Sequence, residues 1–165
     1  MTPEARFAAV LERHGPALRR LVAAWERDAA AREDLLQDVL LALWRALPRF
    51  RGDCAERTFV LRVANNRVLS HRFRRRPAGE ELDGAGEVHD PAPTPERAAT
   101  AAERLRRLVR ALETLPDGTR QVLTLALEGL TRGEIAAVLG VTENNAAVRL
   151  SRARRALHDA MEKTP

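Results

Sequence analysis

The chain has little of what disulfide-stabilised, aromatic-rich or membrane-spanning proteins depend on. It contains one cysteine, Cys54, no tyrosine, and only 4% aromatic residues in a length of 165. A single cysteine excludes an internal disulfide framework and a zinc site built from several thiolates. No apolar run approaches the roughly 18 residues of a transmembrane helix, and the charged residues after Met1 leave no apolar core for a signal peptide. We therefore expect a cytoplasmic protein with no membrane insertion.

Signals for β-strands are missing as well, because no alternating β-branched run is bounded by a hairpin turn. Alanine, leucine and arginine dominate the sequence, and these residues favour helix. The four histidines show no metal-ligand spacing with one another or with Cys54. We find no glycine-rich phosphate loop and no nucleophile elbow. The sequence predicts an all-α protein that is not an enzyme and needs no cofactor or metal.

Charge is distributed unevenly along the chain. Residues 1–76 contain 16 arginines and 9 acidic residues, a net charge of +7. Residues 77–95 contain 5 acidic residues and no basic ones, and residues 96–165 have a net charge of +3. Two basic blocks around an acidic connector indicate a polyanion partner. An arginine-rich composition with no functional meaning would give the same pattern of charge.

The acidic connector also marks a boundary between domains. Residues 77–95 hold four prolines, three glycines and no apolar periodicity, which is typical of a flexible linker. Fully extended, such a linker reaches roughly 60 Å. We expect two small helical domains, 1–76 and 96–165, joined by this flexible acidic linker.

Apolar residues at helical spacing place the helices of both domains. His14, Gly15 and Pro16 predict a break between the first two helices. One stripe of leucines at steps of four, three and four predicts the buried face of the third: Leu36, Leu40, Leu43 and Leu47. The predicted helices cover 3–13, 16–28, 31–47 and 55–74 before the linker, and 95–114 and 119–128 after it.

Residues 131–157 predict a helix-turn-helix that completes the second domain. Thr131 and Glu134 have the spacing of a capping box, and Gly140 suits the left-handed residue of a tight turn. Thr142 is positioned to cap the second helix. The face of that helix predicted to pack inward is formed by small and apolar residues: Ala146, Leu150, Ala153 and Leu157. A short helix, a glycine turn and a recognition helix form the layout that enters the major groove of DNA.

The outward face of the second helix carries the candidate DNA contacts. Asparagines pair with adenine and arginines pair with guanine or phosphate, while a small residue lets the backbone approach closely. The candidates are Asn144, Asn145, Ala147, Val148, Arg149, Ser151, Arg152 and Arg155. An ordinary helical hairpin with a solvated arginine face remains the alternative from the residues alone.

Three motifs in order resemble the extracytoplasmic-function (ECF) group of bacterial RNA polymerase sigma factors. AREDLLQDV (31–39) with LWRAL (43–47) is similar to the polymerase-binding helix of that family. FRG (50–52), TFV (58–60) and VANN (63–66) are similar to its promoter-melting segment. LP (115–116), GLT (129–131), EIA (134–136), LGV (139–141) and RLSRAR (149–154) are similar to its C-terminal helix-turn-helix.

The resemblance implies a sigma factor that binds core RNA polymerase and directs promoter-specific transcription initiation, as a signal-responsive alternative sigma. It implies docking on the polymerase clamp helices through Asp34, Gln37, Asp38, Leu41 and Arg45. It implies binding of a −10-type element, including the melted non-template strand, by Glu56, Arg57, Asn66, Arg67, Ser70, His71 and Arg74. The helix-turn-helix would bind a −35-type element as duplex. An anti-sigma partner is expected from the family alone.

Some features of the first domain depart from the family or have simpler explanations. Glu56 stands where the family often has an aromatic residue, and Phe59 stands where it has tryptophan. The acidic face of the third helix would also be explained as a solvated surface, and the basic residues 71–76 as a helix end favoured by the macrodipole. Cys54 is expected to be an incidental thiol.

Two other functions fit parts of the sequence. The first is a conventional repressor or activator that dimerises through residues 1–76 and binds a palindrome with the helix-turn-helix. The second is an adaptor or decoy that keeps the sigma shape without initiating transcription.

Overall fold

The computed structural model describes residues 2–75 and 101–163, which contain seven α-helices and no β-strand. The prediction of an all-α fold is confirmed. The helices are α1 (Pro3–Ala23), α2 (Ala29–Ala46), α3 (Glu56–Arg75), α4 (Ala101–Glu113), α5 (Asp117–Leu127), α6 (Arg132–Leu139) and α7 (Glu143–Lys163), with a short 3-10 turn at Leu47–Arg49. The predicted linker, 77–95, lies outside the described residues. None of the described helices is long and apolar enough to cross a membrane.

The predicted break near residue 15 is wrong, because α1 is one continuous helix of 21 residues with Pro16 inside it. Proline has no N–H to give to the carbonyl four residues earlier, so the helix loses one hydrogen bond there. The helix continues because one side of it is buried on both sides of the proline. The buried residues are Val10, Ala17, Leu18, Leu21 and Val22.

The next two helices pack against α1 and against each other. The Asp28 side chain accepts a hydrogen bond from the backbone N–H of Ala31 at 2.8 Å, so α2 begins two residues before the predicted start. Three of the four stripe leucines are buried, while Leu40 is only partly buried. Phe50 and Phe59 stack with ring centroids 4.5 Å apart, which ties the loop before α3 to that helix.

The four C-terminal helices form a second unit in which α7 contacts α4, α5 and α6. Within α4, Leu112 is buried, but Leu105 is 60% exposed, so its predicted inward stripe is only partly covered. The guanidinium of Arg120 donates to the carbonyl of Leu112 at 2.8 Å and also to the carbonyl of Glu113. This side chain from α5 therefore satisfies the carbonyls that the end of α4 leaves without helical partners.

The two units pack directly on each other. Their buried apolar residues belong to one contiguous cluster, and α3 lies against α6. We call 2–75 the N-terminal unit, 101–163 the C-terminal unit, and the surface between them the seam. The sequence left this relative placement open.

Candidate nucleic-acid interface

The predicted helix-turn-helix is formed by α6, a glycine turn and α7. The Thr131 hydroxyl accepts from the Glu134 backbone N–H at 3.2 Å, and the Glu134 carboxylate accepts from the Thr131 backbone N–H at 2.8 Å. Gly140 ends α6 with a φ of 66°, a conformation that glycine adopts without steric cost. The Thr142 hydroxyl accepts from the Asn145 backbone N–H at 3.2 Å and caps α7. Each capping interaction predicted for this segment is present.

The two faces of α7 divide as the sequence predicted. Ala146, Leu150 and Ala153 are buried and pack inward. Seven of the eight candidate DNA contacts are exposed, and Ala147 is half-buried. The seven exposed residues are Asn144, Asn145, Val148, Arg149, Ser151, Arg152 and Arg155. The spacing thus brings the whole candidate set onto one accessible face.

An open groove of about 760 Å³ runs between the start of α6 and the middle of α7. Leu130 and Leu150 lie at its base, and Arg132 and Arg154 line it as exposed cations. The groove therefore extends the basic surface of α7 towards α6.

The candidate polymerase-docking residues share the solvent side of α2. Asp34, Gln37 and Arg45 are exposed, Leu41 is 46% exposed and Asp38 is half-buried. A single exposed leucine is ordinary on a protein surface, whereas adjacent exposed apolar side chains mark a candidate contact surface. The neighbouring Trp44 is 37% exposed while its ring meets the edge of Phe7 at 5.2 Å. This tryptophan packs on α1 and also extends the apolar part of the surface.

The candidate −10-type residues on α3 are placed differently, because most of them contact other parts of the chain. Glu56 accepts from Arg13 at 3.2 Å and lies 2.9 Å from the His14 ring nitrogen Nε2. Arg57 donates to the backbone carbonyl of Glu128 in the C-terminal unit. The start of α3 is therefore tied to α1 on one side and to the C-terminal unit on the other.

Further along α3, two candidate arginines share one carboxylate partner. The Asp38 carboxylate lies 2.9 Å from Arg67 and 3.8 Å from Arg74. These contacts join a candidate polymerase-docking residue to two candidate DNA contacts. The Ser70 hydroxyl donates to the Asn66 carbonyl at 2.9 Å within the helix. Asn66, Ser70 and Arg74 are the exposed members of the candidate set on α3.

Several side chains of α3 have a buried polar atom with no hydrogen-bond partner among the described residues. They are Arg62 (Nε), Asn65 (both amide atoms), Arg67 (Nε) and His71 (Nε2). His71 Nε2 and the likewise unpartnered Trp25 Nε1 belong to residues that line a cavity of about 200 Å³ beside Arg72 and Arg75. Buried polar groups without partners are uncommon in folded proteins, and where they cluster they point to a functional surface or to ordered water.

The seam holds a second set of polar contacts that sequence reasoning missed. Arg20 donates two hydrogen bonds to the Glu128 carboxylate, each at 2.8 Å. The Thr58 hydroxyl donates to Glu134 at 3.3 Å. Arg27 lies 3.2 Å from the Glu113 carboxylate, and Arg72 lies 3.6 Å from that of Asp117. The Arg120 guanidinium stacks over the Trp25 ring at 5.1 Å. The Arg20 pair is separated by 108 residues, so no local pattern in the sequence could have indicated it.

The pKa values of four residues at the seam differ from their ordinary values. The hydrogen bond from Arg20 to Glu128 raises the pKa of Arg20. Burial lowers the pKa of Arg120. The Thr131 backbone N–H holds the pKa of Glu134 below its usual value, and the Thr131 and Thr58 hydroxyls act in the same direction. Burial raises the pKa of Glu113, although Arg27 opposes that change.

Each of the two units matches a known protein family model. Residues 10–77 match the family model described as sigma-70 region 2, and residues 105–157 match the model described as sigma-70, region 4. The chain is 33% identical to the RNA polymerase sigma factor CnrH of Cupriavidus metallidurans over 92% of this chain and 84% of that protein. It is 31% identical to the ECF RNA polymerase sigma-E factor of Escherichia coli K12 over 78% of this chain and 73% of that protein.

Solved structures give the same fold. A structure of CnrH in complex with the cytosolic domain of CnrY aligns with a TM-score of 0.71 and 26% identity, covering 98% of this chain and 91% of that one. The sigma factor RpoE in complex with the anti-sigma factor NepR, from Bartonella quintana, aligns with a TM-score of 0.68 and 21% identity, covering 96% of each chain. The chain belongs to the sigma-70 family, as an alternative sigma factor of the extracytoplasmic-function group that directs transcription initiation.

Proposed function

We propose that the two units divide promoter recognition, with α7 binding a −35-type element as duplex and α3 binding a −10-type element after the strands separate. The single observation that carries the first part is the accessible face of α7, where seven candidate residues are exposed together. Its asparagines and arginines are the side chains that pair with adenine and guanine edges in the major groove. The basic groove beside α6 adds phosphate contacts that position the helix.

For α3, the support comes from its arginines and from its unpartnered buried atoms. Arg67 directly follows the exposed Asn66, and Arg74 lies about two turns further along α3. Single-stranded nucleic acid favours basic grooves with polar groups that can accept an unstacked base. The internal contacts of Arg57, Arg67 and Arg74 must be exchanged for DNA contacts when this surface is used. The absence of an aromatic residue at Glu56 makes stacking at this position weaker than in the family pattern.

We propose that the solvent side of α2 docks on core polymerase. Asp34 and Asp38 provide acidic groups for a basic partner helix, and Leu41 provides an apolar contact at the centre of the surface. Polymerase supplies the chemistry, so the chain itself is not an enzyme. The site of action would be the cytoplasm, on the nucleoid, because polymerase and promoters are there.

We also propose a protein inhibitor as a partner. The CnrH structure that covers 98% of this chain was determined with the cytosolic domain of another protein bound. A partner of this kind would stabilise one arrangement of the two units and thereby control access to polymerase.

Run-off transcription with purified core polymerase and genomic fragments tests the proposal. We expect start sites that depend on the chain, and their absence would favour an adaptor or decoy. Binding to a palindromic duplex in the absence of polymerase, as a dimer, would favour a conventional repressor.

Asp38→Arg provides the companion test of the docking surface. The reversed charge should abolish core binding, since it would face the basic partner helix. Glu33→Arg is the matched control, because Glu33 is exposed on α2 outside the candidate set. Equal loss in the two variants would contradict a specific docking face.

A further inference from the structure

The strongest polar contact across the seam is centred on Glu128. Its side chain is 5% exposed and accepts two hydrogen bonds from Arg20. The Nε and one terminal nitrogen of the guanidinium each donate to a different carboxylate oxygen. Bidentate pairs of this kind are among the strongest polar contacts in proteins. Arg20 itself is 62% exposed, so the pair lies at the edge of the seam with only its acidic member buried.

The backbone of the same residue makes a second contact with the N-terminal unit. Gly129 has a φ of 77°, and the Leu130 N–H reaches back to the Leu125 carbonyl at 3.2 Å, which closes the end of α5. The carbonyl of Glu128 is left pointing away from the helix, where such groups need an outside donor. Arg57 is that donor. A cation at a helix C-terminus is also favoured by the helix dipole.

Two further contacts extend this connection to α6 and to the first residue of α5. Thr58 donates to Glu134, the residue that caps α6, so the start of α3 also contacts the helix-turn-helix. At the other end of α5, Arg72 faces Asp117 at 3.6 Å. Arg57 and Arg72 are 15 residues apart on α3, a distance of about 22 Å along a helix. The N-terminal unit therefore holds α5 near both of its ends.

We propose that Arg20, Arg57 and Thr58 on one unit, and Glu128 and Glu134 on the other, form a latch that keeps the free chain closed and masks the start of α3. The latch itself follows from the contacts across the seam. The statement that it masks a −10-type binding surface rests on the proposed function, because Arg57 is a candidate contact for that element.

The dimensions of the closed chain agree with an inactive state. A compact chain of 165 residues has a radius of gyration of about 15 Å and is therefore about 40 Å across. Elements at −10 and −35 are about 25 base pairs apart, which is about 85 Å on straight B-DNA. The closed chain is too short to bind both elements on such a duplex, so the latch must open before initiation.

The first test measures the distance between the two units by double electron–electron resonance on the full-length chain. Spin labels are attached at Ala8→Cys and Ala137→Cys, both exposed, in a Cys54→Ser background. We expect one narrow distance distribution in this parent. Arg20→Glu removes the bidentate pair and places two carboxylates together. The distribution should therefore broaden and its mean should lengthen by about 10 Å or more, which is well within the extended length of the 25 residues between the two units.

Arg19→Glu is the matched control. Arg19 is exposed and precedes Arg20 on α1, and its substitution changes the net charge by the same amount. It should leave the distribution as in the parent. Arg57→Met supplies a second way to open the seam, and circular dichroism verifies that each variant keeps its helices. An unchanged distance in both Arg20→Glu and Arg57→Met overturns the latch.

The second test asks whether opening exposes a nucleic-acid surface. The probe is a fluorescein-labelled single-stranded DNA of 20 nucleotides with mixed sequence, followed by anisotropy. Both glutamate variants lose the same charge, so charge alone predicts equal weakening of binding. Because apparent affinity rises with the fraction of competent conformer, we expect Arg20→Glu to bind about fivefold more tightly than Arg19→Glu.

The outcomes separate the two proposals. Opening of the seam with equal DNA affinity in the two variants overturns the masking of α3 and leaves the latch. Opening with no DNA bound by the parent or by any variant overturns the proposed role of α3 and again leaves the latch. An unopened seam overturns the latch whatever the DNA result.

Discussion

Two helices of this sigma factor, α3 and α7, are both basic and both candidate DNA contacts, yet they differ in how available their arginines are. On α7, Arg149, Arg152 and Arg155 are exposed on one face. On α3, Arg67 and Arg74 contact Asp38, and Arg57 contacts the C-terminal unit. Basic composition therefore marks both helices as candidates for binding a polyanion, but only the surroundings of each helix decide whether its arginines are available without a change of structure.

The difference suits the two forms of DNA that the helices would bind. A duplex element is present before polymerase arrives, so a reader that is permanently open can bind it at once. A melted strand exists only after opening, and a surface that is paired internally until then will not capture unrelated nucleic acid. In the proposed docking, Asp38 would exchange Arg67 and Arg74 for a partner on polymerase, so docking would release the two arginines.

The largest expected effect is on duplex binding by α7, the helix whose arginines are exposed. Arg149→Ala with Arg152→Ala should weaken binding to a promoter duplex found by run-off transcription by about 100-fold, because each base contact of this kind contributes about 1–3 kcal/mol. Fluorescence anisotropy at fixed salt measures the change. Arg104→Ala with Lys163→Ala removes the same two charges from exposed positions of the C-terminal unit outside the candidate set and the groove, and it should cost much less. Equal losses in the two double variants would refute sequence reading by this face.

The next effect concerns Glu134, which connects α6 to α3. Glu134→Ala removes a capping box and the acceptor for Thr58, and it should lower the free energy of unfolding by about 1–2 kcal/mol in urea denaturation. Glu134→Gln should recover most of the loss, because glutamine also serves at this position of a capping box. A full loss in the glutamine variant would show that charge, rather than capping, matters here.

The same carboxylate predicts a pH dependence. The pKa of Glu134 is lower in the folded chain than its usual value, so the folded state binds its proton less readily than the unfolded state. The resulting stability is present above the usual pKa and is lost as pH falls through the lower, folded value. The free energy of unfolding should therefore decrease less steeply with falling pH in Glu134→Gln than in the parent, as measured by urea denaturation at a series of acidic pH values.

A smaller effect compares single arginines on the two helices. In the free chain, Arg149→Ala should reduce the salt dependence of duplex binding by about one released counterion, while Arg67→Ala should reduce the salt dependence of single-stranded DNA binding by less. The reason is that Asp38 already neutralises Arg67. Adding Asp38→Asn should make the two losses equal, and equal losses without it would show that the Asp38 pair does not restrain Arg67.

The smallest effect is expected at Glu113 on the seam. Burial raises the pKa of this carboxyl, so its contribution favours the folded state at low pH and is lost as pH rises through the folded pKa. At neutral pH the ion pair with the half-exposed Arg27 offsets only part of the burial cost. Glu113→Gln should therefore change the neutral free energy of unfolding by less than about 1 kcal/mol in urea denaturation.

Local chemistry made the C-terminal unit predictable. Thr131, Glu134, Gly140 and Thr142 act within four residues of their partners, so their positions in the sequence define the turn and both helix starts. The first unit was less predictable, since Pro16 reads as a break until the burial of residues on both sides is known. The candidate residues of α3 were identified by type, but their pairing with Asp38 and Glu128 was not visible.

The sequence by itself determined the all-α class, the capping and turn of the helix-turn-helix, and the face of α7 that meets solvent. Each of these depends on contacts between residues a few positions apart, which periodicity and residue type specify. The tertiary structure alone decided that α1 is continuous, that Asp38 neutralises arginines of α3, and that Arg20 meets Glu128 across 108 residues. Those outcomes depend on how separate helices pack, because burial and long-range ion pairs arise only when distant segments are brought together.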